Sequence, residues 1–295
     1  MFKPKGIIPA MVTPMDRSEA LNLSALRQLT NYLIEGGVHG LFPVGSQGEY
    51  YALTFDEKKK VLETVVDEAR GRVPIYAGTG ANTTREVIAL NKLAEDVGGI
   101  SAVSIITPSF ITPSQEELYT HYRAIAAATK LPILLYNNPA RTGVKLSEAL
   151  VARLSQIDNI IGVKDSSGDL TLTGEYIRRT GPDFSVLAGR DTLIFATLMM
   201  GGAGAIAACG NAAPRVVADI YDFYAAGDYD RARQAQAKLA PLRLAFELGS
   251  FPVVIKEALE LIGIPAGPCR APIGPLSEAN RQQLKNVLDE MGLLR

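Results

Sequence analysis

Tryptophan is absent from the 295 residues, cysteine and histidine occur twice each, and neither sign of charge is in excess. Each scarcity removes a class of function. Cys209 and Cys269 lie far apart and outside any CxxC spacing, so they supply neither a disulfide framework nor a zinc site. A reducing, cytoplasmic compartment is the simplest reading. Of the two histidines, His39 precedes an apolar run and His121 falls inside a helical stretch. Neither stands where a strand ends, which disfavours a Ser-His-Asp triad and a histidine-rich metal centre. Thirty Lys and Arg face thirty-one Asp and Glu without any basic block, so there is no electrostatic footprint for nucleic acid. The opening Met1-Phe2-Lys3-Pro4-Lys5 leads into an apolar run broken by Pro9 and Pro14, a poor signal peptide. One charge-free stretch, Thr192 to Pro214, has the length of a membrane span, but Gly201-Gly202 and Gly204 interrupt it. It reads as a buried helix, Thr192 to Met200, turning into a buried strand, Ala205 to Ala208, so no membrane partner is expected.

What the chain does contain is apolar material, 47% of residues, in a repeating arrangement. Short runs rich in Val, Ile and Leu recur at Ile7–Val12, Gly40–Val44, Pro74–Ala77, Ala102–Ile106, Pro132–Tyr136, Ile160–Lys164, Phe184–Ala188 and Ala205–Ala208. They are short and do not alternate with polar residues, as suits parallel strands covered on both faces. Amphipathic stretches separate them. Thr54-Phe55-Asp56-Glu57, Thr83-Thr84-Arg85-Glu86 and Ser114-Gln115-Glu116-Glu117 fit the capping box, and glycines mark the stops. Eight strand–helix units with no second sheet predict a closed (β/α)8 TIM barrel over residues 1–226. Three further helical patterns, Tyr229–Leu248, Val253–Ile262 and Ser277–Met291, predict a C-terminal helical extension over 227–295 packed on the barrel, one structural domain overall.

Barrel active sites lie at the C-terminal ends of the strands. Lys164 follows Ile160-Ile161-Gly162-Val163 without a break, so it points into or just above the barrel, where loss of water disfavours the ammonium and leaves an amine able to attack a ketone. The competing reading is a lysine reaching out to solvent or pairing with Asp165. Tyr136 ends the preceding strand, near enough to shuttle protons to and from Lys164; otherwise it is a core tyrosine with a satisfied hydroxyl. Gly45-Ser46-Gln47-Gly48 is either an ordinary tight turn or one whose free amides, with the Ser46 hydroxyl, receive a carboxylate. Gly78-Thr79-Gly80 is not GxGxxG and carries no dinucleotide signal. No cluster of strand-end carboxylates points to magnesium. Neither a cofactor nor a metal is expected.

Taken together, Gly45-Ser46-Gln47-Gly48-Glu49, Ala77-Gly78-Thr79-Gly80-Ala81-Asn82, Tyr136-Asn137-x-Pro139, Gly162-Val163-Lys164-Asp165 and Gly202-x-Gly204-Ala205-Ile206 resemble the dihydrodipicolinate synthase and N-acetylneuraminate lyase family, from Gly6 to Leu294. The resemblance implies that Lys164 forms a Schiff base with pyruvate and that Tyr136 is the acid/base. It implies that Ser46 and Gln47 hold the pyruvate carboxylate and that the main chain at Ile206 helps position it. It also implies a metal-free homotetramer, a dimer of dimers, acting on pyruvate plus an aldehyde.

Members divide by that aldehyde. Synthases usually show Gly-Thr-Thr-Gly-Glu where this chain has Ser46-Gln47, and a tyrosine of an inter-subunit relay where it has Phe110. Arg141-Thr142 matches the synthases, whose arginine binds the semialdehyde carboxylate. Gly189-Arg190-Asp191-Thr192 partly matches sugar-acid lyases, while Ala203–Pro214 and Phe251–Ala258 look like 2-keto-3-deoxy sugar acid aldolases. The expectation is therefore a 2-keto-3-deoxy acid aldolase, with Thr142 and Asp191 on substrate hydroxyls and Arg141 or Arg190 on a distal carboxylate. The first alternative is a 4-hydroxy-tetrahydrodipicolinate synthase using aspartate semialdehyde. A second, of another class, is a barrel that only binds a 2-oxo acid.

Overall fold

The structure, a computed structural model, describes residues 2–294. Met1 and Arg295, the outer ends of the two expected segments, lie outside them. Seven strands form one parallel sheet: β1 (Gly6–Pro9), β2 (Tyr76–Gly78), β3 (Ala102–Ile106), β4 (Ile133–Asn137), β5 (Ile160–Asp165), β6 (Ser185–Ala188) and β7 (Gly204–Ala207). Their order is β1-β7-β6-β5-β4-β3-β2. The run expected as a strand at Gly40–Val44 closes the circle between β1 and β2 without forming a regular strand. It makes parallel bridges Ala10↔Phe42 and Leu41↔Ile75. The Phe42 amide donates to the Pro9 carbonyl at 3.0 Å, Leu41 to Pro74 at 3.0 Å and Gly78 to Pro43 at 3.1 Å. Pro9, Pro43 and Pro74 accept there but have no N–H to return, so the ladder thins to single bridges. Gly78 lets the backbones meet: a Cβ there would lie 2.1 Å from the Val44 carbonyl oxygen. The fold is a (β/α)8 TIM barrel with three C-terminal helices, Tyr229–Leu244, Val253–Leu261 and Glu278–Glu290.

Why the strands do not alternate is visible in their packing. One face fills the barrel: Ile8, Phe42, Tyr76, Ala102, Leu134, Ile161, Leu187 and Ile206, one from each of the eight staves, form a buried cluster with Ala10. The other face packs against helices in two larger clusters, both of which unite barrel residues with the C-terminal helices. The capping boxes at Thr54–Glu57 and Ser114–Glu117 form in full, whereas at Thr83 only the hydroxyl half is made, from the Glu86 amide. The helix expected at Thr192–Met200 begins as a 3-10 turn, Asp191–Leu193, and continues as Ile194–Met199. The helix expected to reach Leu248 is α-helical only to Leu244 and ends in a tighter turn, Ala245–Leu248, after Pro241. No helix among the described residues is long and apolar enough to cross a membrane.

One irregularity positions the chemistry. Ile133 on β4 faces Ile160 on β5, but its neighbour Leu134 faces Gly162, so Ile161 is an extra residue in β5. Beyond that point Tyr136 is in register with Lys164. Because strand side chains alternate between faces, the two point the same way, into the barrel mouth.

Candidate active site

A cleft of about 660 Å³ opens at the C-terminal ends of the strands. Ser46, Gln47, Tyr136, Arg141, Thr142, Lys164, Asp191 and Ile206 all line it. At its floor Lys164 is 4% exposed, with Nζ 4.1 Å from the Tyr136 ring centroid and 5.0 Å from that of Phe42. Among the described residues no carboxylate lies within salt-bridge distance of it. Asp165, offered by the sequence as a partner, faces the other side of β5. Its carboxylate accepts from Asn137 Nδ2 (2.9 Å), the Ser167 amide (3.0 Å) and hydroxyl (3.0 Å), and Thr173 Oγ1 (2.7 Å). Asp165 therefore builds the loop after β5 and leaves the ammonium of Lys164 against aromatic faces alone.

Tyr136 differs from the chain's core tyrosines in what its hydroxyl meets. Tyr122 and Tyr176 donate to main-chain carbonyls, of Ile105 at 3.2 Å and Leu146 at 2.5 Å, and burial pushes both phenols up. The Tyr136 hydroxyl instead accepts from Asn138 Nδ2 at 2.9 Å. Burial pushes this phenol up too, but the charge on Lys164 and hydrogen bonds with Ser46, Asn138 and Ser166 outweigh it and hold the group below its ordinary value. A phenol so placed exchanges protons readily with its lysine neighbour.

The turn after the second stave is held open. Gly48 N donates to Gly45 O (3.0 Å) and Glu49 N to Ser46 O (3.2 Å), while neither the Ser46 nor the Gln47 amide donates to another main-chain group among the described residues. Gln47 is 2% exposed, and neither atom of its side-chain amide has a hydrogen-bond partner among the described residues. Buried polar atoms in that state cost free energy unless a ligand meets them. Thr13 Oγ1 fastens the turn by donating to Gly48 O at 2.7 Å. Glu49 anchors it further: one oxygen lies 2.7 Å from Lys256 Nζ, the other accepts from the Arg270 amide at 3.0 Å, and the ion pair is wholly buried. Glu49 and Lys256 are 207 positions apart in the chain, and only the docked extension brings them together.

The remaining residues vary in availability. Ile206 sits on β7 opposite Ile8 and is 1% exposed. Thr142, expected on a substrate hydroxyl, has its own hydroxyl engaged by Thr107 Oγ1 at 2.9 Å, Asn138 O at 3.2 Å and Val144 O at 3.1 Å, which shapes the loop after β4. Asp191 is buried. One oxygen accepts from the Cys209 amide at 2.8 Å and the other lies 3.8 Å from Arg243 Nε, so this carboxylate is also mostly committed within the protein. Burial pushes it up against the pull of both partners. Arg141 is exposed, its guanidinium 4.7 Å over the Phe251 ring. The wall formed by Arg243, Phe246, Ser250, Phe251 and Val254 went unforeseen, as did Tyr50, Tyr51 and Ser166. The C-terminal segment's signals were its helical pattern and the family-like run Phe251–Ala258, neither of which says where it docks.

The family model described as the dihydrodipicolinate synthetase family matches residues 3–291. The chain is 39% identical over 295 residues to the 4-hydroxy-tetrahydrodipicolinate synthase of Methanopyrus kandleri, covering 99% of this chain and 98% of that one. It is 40% identical over 291 residues to the enzyme of that name from Methanoculleus marisnigri, covering 98% and 99%. The crystal structure of dihydrodipicolinate synthase from Thermotoga maritima superposes with a TM-score of 0.96 at 33% identity, covering 99% of this chain and all of that one.

Proposed function

The chain belongs to the dihydrodipicolinate synthetase family and is an enzyme of the class I aldolase type; from that premise we propose that it condenses pyruvate with aspartate semialdehyde on Lys164. The observation that carries the chemistry is the in-register pair of buried Lys164 and Tyr136 in one cleft, the amine without a carboxylate partner. The Lys164 amine adds to the C2 carbonyl of pyruvate. Tyr136 protonates the carbinolamine oxygen, which leaves as water, and the imine forms. Loss of a C3 proton gives the enamine, whose C3 attacks the aldehyde carbon. The new C–C bond is made as the aldehyde oxygen takes a proton. The open amides of Ser46 and Gln47 fit the pyruvate carboxylate, and the main chain at Ile206 closes its other side.

The relatives' shared name and Arg141, exposed at the mouth for a carboxylate, support the semialdehyde as partner, which moves the synthase ahead of the sugar-acid aldolase favoured from sequence. Two observations favour the second reading. Gln47 presents an amide suited to hydroxyls, and Phe110, 98% exposed, has no hydroxyl to relay protons. Assembly into a homotetramer fits the exposure of Phe110, Ile111, Tyr51 and Phe55. The test has two parts. Borohydride with pyruvate should modify the Lys164 peptide, read by mass spectrometry; an unmodified peptide overturns the Schiff base. Then kcat/KM is compared for pyruvate with aspartate semialdehyde and with glyceraldehyde. Preference for glyceraldehyde selects the sugar-acid aldolase, and an adduct without turnover of any aldehyde selects a binding protein.

A further inference from the structure

The charged groups lining the cleft are unequal in sign. Lys164, Arg141, Arg190 and Arg243 are positive, while Asp191 and Glu247 are negative, in a chain whose net charge is −1. Local excess of one sign inside low-dielectric walls focuses the field on an incoming ion. Pyruvate's carboxylate answers one charge, at the floor. The three arginines come from three separate elements: the loop after β4, the loop after β6, and the helix Tyr229–Leu244.

Among the described residues Arg141 and Arg190 are held in place without a carboxylate partner within salt-bridge distance, and Arg243 shares its one carboxylate, Asp191, with a main-chain amide. Arg190 Nε donates to the Ser166 carbonyl at 3.4 Å, and the missing side chain at Gly168 leaves it room, since a Cβ there would lie 3.1 Å from that nitrogen. Arg243 rests 4.7 Å over the Phe246 ring and 3.8 Å from Asp191, whose nearer bond is to the Cys209 amide. Its neighbour in the chain fixes Arg190 as well: the Asp191 carbonyl accepts from Gln236 Nε2 at 2.9 Å, tying the loop after β6 to the helix that carries Arg243. Guanidiniums that are oriented yet short of counter-charge are suited to a planar or tetrahedral oxyanion.

We propose that Arg190 and Arg243 form an anion subsite that selects aldehyde partners bearing a carboxylate or phosphate at the end remote from the reacting carbon. The proposal rests on the pyruvate aldolase reading and adds specificity residues to it. Neither arginine reaches the reacting atoms; both act on KM for the aldehyde.

The experiment measures kcat/KM at saturating pyruvate for three aldehydes: glyceraldehyde, glyceraldehyde 3-phosphate and aspartate semialdehyde. It uses the full-length protein and the variants Arg190→Gln, Arg190→Lys and Arg243→Gln. The expected result is preference for an anionic aldehyde over glyceraldehyde. That ratio should fall by about 10–100-fold in Arg190→Gln and Arg243→Gln, the usual worth of a lost charge-assisted hydrogen bond, through KM. Arg190→Lys should lose less, since it keeps the charge. The phosphate and carboxylate arms tell which anion is read. A ratio unchanged in both Gln variants, or a preference of the unaltered protein for neutral glyceraldehyde, overturns the proposal. Pyruvate–borohydride modification of Lys164 is followed in every variant. Its absence from the unaltered protein fails the aldolase reading itself, and its loss from a variant alone places that arginine at the pyruvate end and overturns the assignment.

Discussion

The floor and the mouth of the cleft are built on opposite terms. The floor is made by neighbouring strands of one ladder: Lys164 and Tyr136 are each 4% exposed and locked to each other by register. The mouth is made by loops and by the C-terminal segment, where Arg141, Arg190, Arg243 and Phe251 are half-buried or exposed. Strand register cannot drift without turning side chains to the wrong face, whereas loop residues change with little consequence for the fold. A common reaction at the floor with a variable partner at the mouth follows from that division. The turn carrying Ser46 and Gln47 belongs to the floor by function but takes its support from the extension, through Glu49 and Lys256.

That contrast can be broken most severely at its base. Lys164→Arg should abolish turnover and adduct formation, because a guanidinium is not a usable nucleophile near neutral pH; steady-state rates and peptide mass give the answer. Tyr136→Phe should slow turnover by about 10²–10⁴-fold while pyruvate still binds, the usual worth of a placed proton carrier. Calorimetry alongside kinetics separates the two quantities, and near-normal turnover would move the proton role to another group. Both changes should be indifferent to which aldehyde is supplied, as befits the floor.

Lys256→Met probes the join between the regions. It leaves the Glu49 carboxylate buried without its partner, a loss of about 3–5 kcal/mol, and should also raise KM for pyruvate by freeing the turn. Adding Glu49→Gln should recover most of the stability in denaturant melts; a double variant no better than the single would mean that packing, not charge, dominates there. Arg141→Gln sharpens the contrast from the other side. It should raise KM for an anionic aldehyde about tenfold, one charge-assisted bond, and leave KM for pyruvate unmoved. A matching change in pyruvate KM would dissolve the distinction between floor and mouth.

The smallest effect lies outside both. Burial holds His121 down to about 4, its Nδ1 2.9 Å from Thr84 Oγ1. A histidine lowered in the folded state contributes its full stability above its unfolded value of about 6.5 and loses it as pH falls toward 4. The melting temperature should therefore drop between pH 7 and pH 5, and His121→Phe should flatten that drop. Because the group is remote from the cleft, aldehyde preference should not follow the same curve.

Much of the floor was legible in one dimension. Uninterrupted apolar runs announced strands buried on both faces, and Lys164 stood at the end of one because no polar residue intervened after Ile160. The capping boxes at Thr54 and Ser114 were readable because their hydrogen bonds span three residues. The missing half of the box at Thr83 was not, since nothing local forces Glu86 to turn back. The irregular second stave was misjudged because Pro9, Pro43 and Pro74 sit in three different parts of the chain and thin the ladder only when brought side by side. Thr142 and Asp191 pass for free hydrogen-bonding groups in a sequence. Thr142 is taken up partly by its neighbours Asn138 and Val144, and the further partners Thr107, Cys209 and Arg243 meet these two residues only through tertiary contacts.

By itself the sequence determined the barrel, the lysine at the end of its sixth apolar run and the open turn at Ser46-Gln47, because periodicity, strand ends and glycine placement are local properties of the chain. The tertiary structure decided the rest. One extra residue, Ile161, sets Lys164 opposite Tyr136, and whether a strand bulges depends on the strand beside it. The buried Glu49–Lys256 pair, and the part of the mouth that carries Arg243, exist only because the last three helices dock on the barrel. Docking is decided by which apolar faces fit together, a matter of shape and of contacts between residues hundreds of positions apart, and no pattern within a single segment carries it.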